Sequence, residues 1–98
     1  MHKFMALHTL PAGAFTHEQV CQIAEAGQHE QSVRGYRSFL NLTEGKVCCI
    51  LEANDRESVV AWFQKMRIPY DSIVAVEFEG DRGVIEDLRE QPAMAGAG

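Results

Sequence analysis

The sequence has no long apolar run, and this excludes a protein held in a bilayer by a helix. Its strongly apolar stretches are only a few residues long, whereas a helix needs about 20 such residues to cross a membrane. Met1, His2 and Lys3 lead directly into a strand-like segment and lack the apolar core of a secretory signal. We therefore expect a cytoplasmic protein with no membrane partner.

Cysteine is also scarce, and its placement argues against scaffolds built from thiols. The three cysteines, Cys21, Cys48 and Cys49, cannot all pair within one chain. The neighbours Cys48 and Cys49 are expected to point to opposite sides of a strand. Neither a disulfide framework nor a thiolate zinc cage fits this pattern, so we expect reduced thiols.

Basic residues are outnumbered, because nine Lys and Arg face fourteen Asp and Glu and give a formal charge of −5. Such a surface repels phosphate backbones and anionic membranes. Glycine-rich phosphate loops are lacking too, since the Glu79–Gly83 segment has neither the spacing nor the Lys-Ser/Thr ending of a P-loop. The sequence thus predicts no nucleic-acid partner and gives no signal for a nucleotide, a flavin or a heme.

What remains is an ordinary globular composition. Hydrophobic residues make up 46% and charged residues 23% of a 98-residue chain, which suits one compact domain. We expect this domain to cover residues 1–90. Residues 91–98 are small and rich in Gly and Ala, and this composition predicts a flexible C-terminal tail.

Local patterns predict alternating strands and helices. The short apolar segment Lys3–Leu10 precedes a Pro-Ala-Gly breaker and favours a first strand. Thr16 with Gln19 forms the pattern of a capping box, which predicts a helix from about His17 to His29. The later elements are a β-hairpin over residues 35–53 turning at Glu44-Gly45, a helix capped by Asp55 and ending before Pro69, a strand over Ile73–Glu79, and a short element around Val84–Leu88.

This order of elements, βαββαβ, predicts an α+β fold of the ferredoxin-like type. Right-handed crossovers place four antiparallel strands in one sheet and both helices on one of its faces. The other face is left bare, and a bare apolar face favours pairing with a second copy. We therefore expect a homodimer of the dimeric α/β-barrel type.

The alternation of side chains along a strand then divides the residues between the two faces. The residues that we assign to the helix-covered face are Met5, Leu7, Val47, Cys49, Leu51, Val74, Val76 and Phe78, and their strand neighbours point to the bare face. The expected bare-face set is Phe4, Ala6 and His8 of the first strand, Arg37, Phe39 and Asn41 of the second, Cys48, Ile50 and Glu52 of the third, and Ile73, Ala75 and Glu77 of the last.

This assignment brings His8, Glu52 and Glu77 together on the bare face. One imidazole and two carboxylates are suited to a divalent metal ion, and they are equally suited to acid and base catalysis. The alternative for each residue alone is a hydrogen-bonded surface His or a solvated Glu. Phe4, Arg37, Cys48 and Ile50 are the candidate lining of a substrate pocket on the same face.

Two other features favour structural roles. His17 and Cys21 are four residues apart and share a helix face, but no second pair at ligand spacing accompanies them. A His in the capped first turn and a packed thiol are therefore favoured. Trp62 adjoins the apolar stripe of the second helix, where a packing role is favoured.

The segments Phe4–His8, Gly45–Ala53 and Asp71–Glu77 together resemble the DUF4242 family of small ferredoxin-like proteins, which includes nickel-binding members. The likeness covers about residues 3–79 and depends on a His late in strand one, a Gly-Lys-Val-x-Cys-x-x-Glu-Ala strand and a terminal Ile-x-x-Val-Glu segment. The resemblance implies a dimer that binds metal, with His8, Cys49 and Glu52 at the family's His, Cys and Glu positions. Many relatives have a His-rich end of the second helix, whereas residues 63–69 of this chain contain no His.

Three functional hypotheses follow. The first is a homodimer that binds a divalent transition metal, nickel being the candidate, through His8, Glu52 and Glu77. The second is a cofactor-independent monooxygenase or isomerase of the dimeric α/β-barrel type, with His8 or a carboxylate as base and Arg37 holding an anionic substrate. The third is a binding module without catalysis, and fold alone does not choose among them.

Overall fold

The computed structural model describes residues 1–89, so the tail predicted for residues 91–98 lies outside the described part. Two helices and six strands form within it. In chain order they are β1 (His2–Thr9), α1 (His17–Gln28), β2 (Val33–Asn41), β3 (Lys46–Ala53), α2 (Arg56–Met66), β4 (Ser72–Ala75), β5 (Phe78–Asp81) and β6 (Val84–Asp87).

The first four strands form one antiparallel sheet in the order β2-β3-β1-β4. Both helices pack on one face of this sheet, which we call the helix face, and the opposite face is called the open face. The predicted ferredoxin-like α+β fold is confirmed. The core lies between α2 and strands β3, β1 and β4, where Val59, Trp62 and Phe63 meet Leu51 and Ile73.

The helix starts follow the predicted caps. The Thr16 hydroxyl accepts a hydrogen bond from the Gln19 backbone N–H at 3.1 Å, and the Thr16 N–H donates to the Gln19 side chain at 2.8 Å. This complete capping box satisfies two backbone groups that a helix N-terminus leaves without partners. Asp55 caps α2 by accepting from the Ser58 N–H at 2.8 Å.

The predicted faces of β1 are reversed in the structure. Phe4, Ala6 and His8 lie on the helix face and are buried, whereas Leu7 is exposed on the open face. Both alternating sets of β1 contain apolar residues, so alternation alone does not identify the buried set.

The predicted orientation of β4 is also wrong, because this strand too has apolar residues in both alternating sets. Ile73 pairs with the buried Ala6 and is therefore directed to the helix face, while Val74 is exposed. The strand also ends at Ala75, so neither Val76 nor Phe78 is a core residue of this sheet.

The two strands of the central hairpin are oriented as predicted. In β3, Val47 and Leu51 are buried on the helix face and Cys48 lies on the open face. In β2, Arg37 and Phe39 pair with the open-face residues Ile50 and Cys48. The bulge between Gly35 and Arg37 shifts the register by one residue, which a simple count along the strand does not detect.

The segment after β4 forms an element that the sequence indicated only weakly. Phe78–Asp81 and Val84–Asp87 pair as a separate two-stranded hairpin, which we call the arm. Gly83 in its turn has a φ of 86°, a conformation that glycine adopts without strain. Among residues 1–89, no helix is long and apolar enough to cross a membrane.

Candidate functional site

A cavity of about 340 Å³ lies between α1, α2 and the helix face of the sheet. It is lined mainly by apolar side chains, with α1 as its roof and the sheet as its floor. Its volume is near the lower end of the range of small-molecule sites, about 300–1,000 Å³. The apolar lining includes Phe15, Val20, Ile23, Leu40, Val47, Leu51, Trp62, Phe63 and Ile68.

The cavity exists because α1 bridges the sheet without filling the space beneath it. Gly27 is the only buried residue of α1, and a Cβ at this position would lie 3.6 Å from the Trp62 ring. The helix is therefore close to α2 at Gly27. Nearer its start, Val20 and Ile23 line the cavity and are half-buried.

His8 is the buried polar residue of this site. Its exposed fraction is 3%, and its ring meets Phe63 edge to face at a centroid distance of 4.9 Å. The Nδ1 atom lies 2.7 Å from the carbonyl oxygen of Pro69. The Nε2 atom is buried and has no hydrogen-bond partner among the described residues.

The Pro69 contact fixes which nitrogen carries the proton. A carbonyl oxygen only accepts hydrogen bonds, so Nδ1 of His8 must donate to it. In the neutral imidazole, Nε2 then carries the lone pair. His8 thus offers one hydrogen-bond acceptor, or one nitrogen ligand, in an apolar setting.

The neighbouring polar side chains already have partners. Gln28 Nε2 donates to the carbonyl oxygen of Gly35 at 2.8 Å. Burial raises the pKa of the Cys49 thiol, and the nearby Ser38 side chain opposes this shift only in part. The thiol form of Cys49 is thereby favoured over the thiolate, which is the form that binds metals and attacks electrophiles.

The predicted site of His8, Glu52 and Glu77 is not assembled in this chain. His8 is on the helix face, while Glu52 pairs with Lys3 and lies on the open face. Glu77 lies in the connection between β4 and the arm, beyond the last residue of the sheet. The cause is the reversed facing of β1, which separates the imidazole from Glu52 by the thickness of the sheet.

The four residues predicted to line a pocket are also divided between the faces. Phe4 is buried in the core on the helix face. Arg37, Cys48 and Ile50 lie together on the open face, where Arg37 pairs with Ile50 in the register of β2 and β3. Arg37 and Ile50 also border the cavity beneath α1, whereas Phe4 and Cys48 do not, so the four residues do not form one lining surface.

A nickel ion needs several nitrogen, sulfur or oxygen ligands held at one place. Within residues 1–89 no group of three or more His, Cys, Asp and Glu side chains is placed to hold a metal. Beside His8, the helix face provides Cys49 on the neighbouring strand, and its thiol is kept protonated by burial. A single nitrogen and a protonated thiol do not fit a nickel site within one chain.

The exposed His17 and Cys21 form a local contact, with Nε2 and Sγ 3.5 Å apart. This geometry agrees with their spacing of four residues along α1.

Sequence reasoning missed other parts of the site: the Pro69 carbonyl that orients His8 and the roles of Gln28 and Ser38. No local signal marked these contacts, because each joins segments that are distant in the sequence or separated by a turn.

The comparisons with known proteins agree with this fold. A family model described as "Nickel responsive protein SCO4226-like" matches residues 4–76. A crystal structure of SCO4226 from Streptomyces coelicolor A3(2) superposes with a TM-score of 0.66 at 21% identity, covering 80% of this chain and 99% of that one. No curated protein matches the chain. Because the family model spans most of the chain, the protein belongs to the SCO4226-like family of nickel responsive proteins.

Proposed function

We propose that this chain binds a small, largely apolar molecule with one hydrogen-bond donor in the cavity beneath α1. The observation that carries the proposal is the unpartnered, buried Nε2 of His8 at the edge of an apolar space. Such an acceptor left without a partner costs about 1–3 kcal/mol. A ligand that donates a hydrogen bond to Nε2 removes this cost.

The polarity of the lining supports a neutral ligand. Among the described residues, no Asp or Glu side chain lines the cavity, and Arg37 is the charged residue that borders it, from a strand position on the open face. His8 therefore has no carboxylate beside it in the cavity, so the described lining provides a hydrogen-bond acceptor without a second group for acid and base catalysis. We therefore favour the binding-module hypothesis over the enzyme hypothesis. A one-ring phenol or alcohol meets both requirements, an apolar body and a single donor.

We expect p-cresol to bind more tightly than toluene, because the two molecules differ by the hydroxyl group that His8 accepts. A net hydrogen bond contributes about 0.5–1.5 kcal/mol, which corresponds to roughly 2- to 10-fold in affinity. Titrations followed by calorimetry or by amide chemical shifts measure the difference. Long-range nitrogen NMR should also show the proton of His8 on Nδ1.

The variant His8→Leu should lose the preference for p-cresol while still binding toluene, because it removes the acceptor and keeps a similar volume. Ser38→Ala is the matched control: it alters a polar lining residue but leaves Nε2 in place, so the preference should persist. Absence of binding by both probes in the unmodified chain would contradict the proposal. A preference that survives His8→Leu would show that another group accepts the hydrogen bond.

We further propose that the protein is a homodimer formed through the open face. Leu7, Phe39 and Val74 are exposed there, and Phe39 has an exposed fraction of 62%. Their register places them in adjacent cross-strand rows, so they form one apolar surface. Contiguous exposed apolar surface of this kind favours association.

Nickel association is the second candidate, and membership of a nickel responsive family favours it. Because one chain does not provide a fitting donor set in its described part, the bound ion would need further ligands from a second copy. The expected result is stoichiometric nickel in protein purified without an affinity tag, with loss of the metal in His8→Ala. Elemental analysis measures the metal content, and a content unchanged by the substitution would reject His8 as a ligand.

A further inference from the structure

The arm is an addition to the part of the chain that the family model matches. That match ends at residue 76, and the arm extends from Phe78 to Asp87. A two-stranded hairpin by itself is marginally stable in water. The arm therefore needs packing partners on its sides, and its two faces differ in what they contact.

The inner face of the arm is fixed to the domain by a polar network. Glu79 accepts hydrogen bonds from Lys3 and from the Tyr36 hydroxyl, both at 2.6 Å. The Lys3 ammonium also lies 3.9 Å from the centre of the Tyr36 ring. The hydrogen bonds from Lys3 and Tyr36 lower the pKa of the Glu79 carboxyl. Leu88, just after the arm, is buried, and its N–H donates to the Glu77 carbonyl oxygen.

The outer face of the arm has exposed apolar side chains, and the Arg89 guanidinium, 4.7 Å from the centre of the Phe78 ring, covers only part of it. Phe78 and Ile85 share this face, because Phe78 pairs with Asp87 and Ile85 pairs with Gly80 in the antiparallel register. The exposed fractions are 48% for Phe78 and 67% for Ile85. Val84 and Glu79 belong to the inner set.

The open face of the sheet has a polar part near the arm and an apolar part farther away, and the apolar part matches the exposed apolar side of the arm. Near the arm, the cross-strand row of Lys3, Glu52 and Arg34 is polar. Farther from it, two rows are mainly apolar, and we call them the apolar rows. They are Ser72, Leu7, Cys48 and Phe39, and next to them Val74, Met5, Ile50 and Arg37.

We infer that the arm of each copy packs its outer face on the apolar rows of the second copy. This inference rests on the homodimer proposed above and assigns the surfaces that form it. Each chain provides one arm and one set of apolar rows, so a twofold axis allows both contacts to form at once. The exchange covers Phe78 and Ile85 of one chain with Leu7 and Phe39 of the other.

The charges of the arm and of the open face also favour the arm of a second copy as the partner of the apolar rows. Residues 78–87 contain four acidic side chains and one basic one, Arg82. Glu79 is paired with Lys3, and Asp87 with Arg89, so the exposed Asp81 and Glu86 of the inner set give the arm its remaining negative charge. On the sheet, Arg37 ends one apolar row and Lys46 lies just beyond the other. Opposite charges around an apolar centre favour the correct pairing of two surfaces.

The substitution Ile85→Asp tests this inference, with Val84→Asp as the matched control. Both variants add one carboxylate to the same strand, and the wild-type residues are similarly exposed, at 67% and 69%. Only position 85 faces the partner in the proposed dimer. Sedimentation at several protein concentrations should show a dimer dissociation constant raised at least about tenfold by Ile85→Asp and nearly unchanged by Val84→Asp.

A variant of the opposing surface, Phe39→Asp, should weaken the dimer in the same way, and Trp62 fluorescence reports whether each variant remains folded. A wild-type chain that stays monomeric would contradict the homodimer itself. A dimer that persists in both Ile85→Asp and Phe39→Asp would overturn the exchange of arms and leave the homodimer standing. Equal dissociation by Val84→Asp would also overturn the assignment of the outer face.

Discussion

Replacing Phe63 with alanine is expected to lower the free energy of unfolding by about 3–5 kcal/mol, the usual cost of truncating a buried aromatic side chain. Phe63 is 2% exposed and contacts the rings of His8 and Tyr70. Its loss joins a new void to the existing cavity, and partial collapse does not recover the lost contacts. Urea unfolding followed by the fluorescence of Trp62, the single tryptophan, measures the change.

The variant Phe63→Leu is the control, because it retains most of the volume and removes only the ring. We expect a cost below about 1.5 kcal/mol. Benzene should raise the melting temperature of Phe63→Ala more than that of Phe63→Leu, since an apolar void of this size accepts an aromatic guest. Equal destabilisation by the two variants would mean that packing around His8 depends on the ring itself rather than on the filled volume.

Local signals in the sequence are sufficient to predict the order of the six elements from β1 to β4. The capping box at Thr16 and the cap at Asp55 identify both helix starts, because side chains that satisfy free backbone N–H groups act within four residues. Gly45 identifies the turn of the central hairpin, with an observed φ of 75°. These features follow from short-range geometry, so they do not depend on the rest of the fold.

The orientation of β1 and β4 depends on information that neither strand contains. In β1, Met5 and Leu7 are as apolar as Phe4 and Ala6, so the alternating pattern admits both orientations. The observed choice places the small Ala6 in the core and gives His8 a hydrogen bond to Pro69. That carbonyl is 61 residues away along the chain, and no pattern within β1 indicates it.

The candidate site shows the same limit. His8 was identified from the sequence as the residue of interest, but its partners were assigned from the wrong face. The sequence predicts Glu52 and Glu77 as neighbours of His8 because alternation along the strands places all three on the bare face. The structure instead surrounds His8 with Phe63 and an apolar cavity, and this environment favours an uncharged ligand over an ion.

A second large effect is expected at the turn between β2 and β3, for the variant Gly45→Ala. A Cβ at Gly45 would lie 2.0 Å from the carbonyl oxygen of Leu10, and the positive φ adds about 1–2 kcal/mol for an L-residue. The obstacle is backbone, held by the hydrogen bond from the Leu10 N–H to the Gly45 carbonyl oxygen at 2.8 Å. We expect a loss of about 3 kcal/mol or more in the free energy of unfolding.

Gly13→Ala separates the two causes of this loss, because Gly13 has nearly the same φ, 72°, and an added Cβ would meet nothing within 4 Å. It should cost only about 1–2 kcal/mol. Leu10 follows β1 and lines the cavity with His8, so Gly45→Ala should also weaken binding of p-cresol in the molecules that remain folded. Urea midpoints for both variants at one protein concentration provide the comparison, and equal midpoints would show that the Leu10 backbone moves aside at little cost.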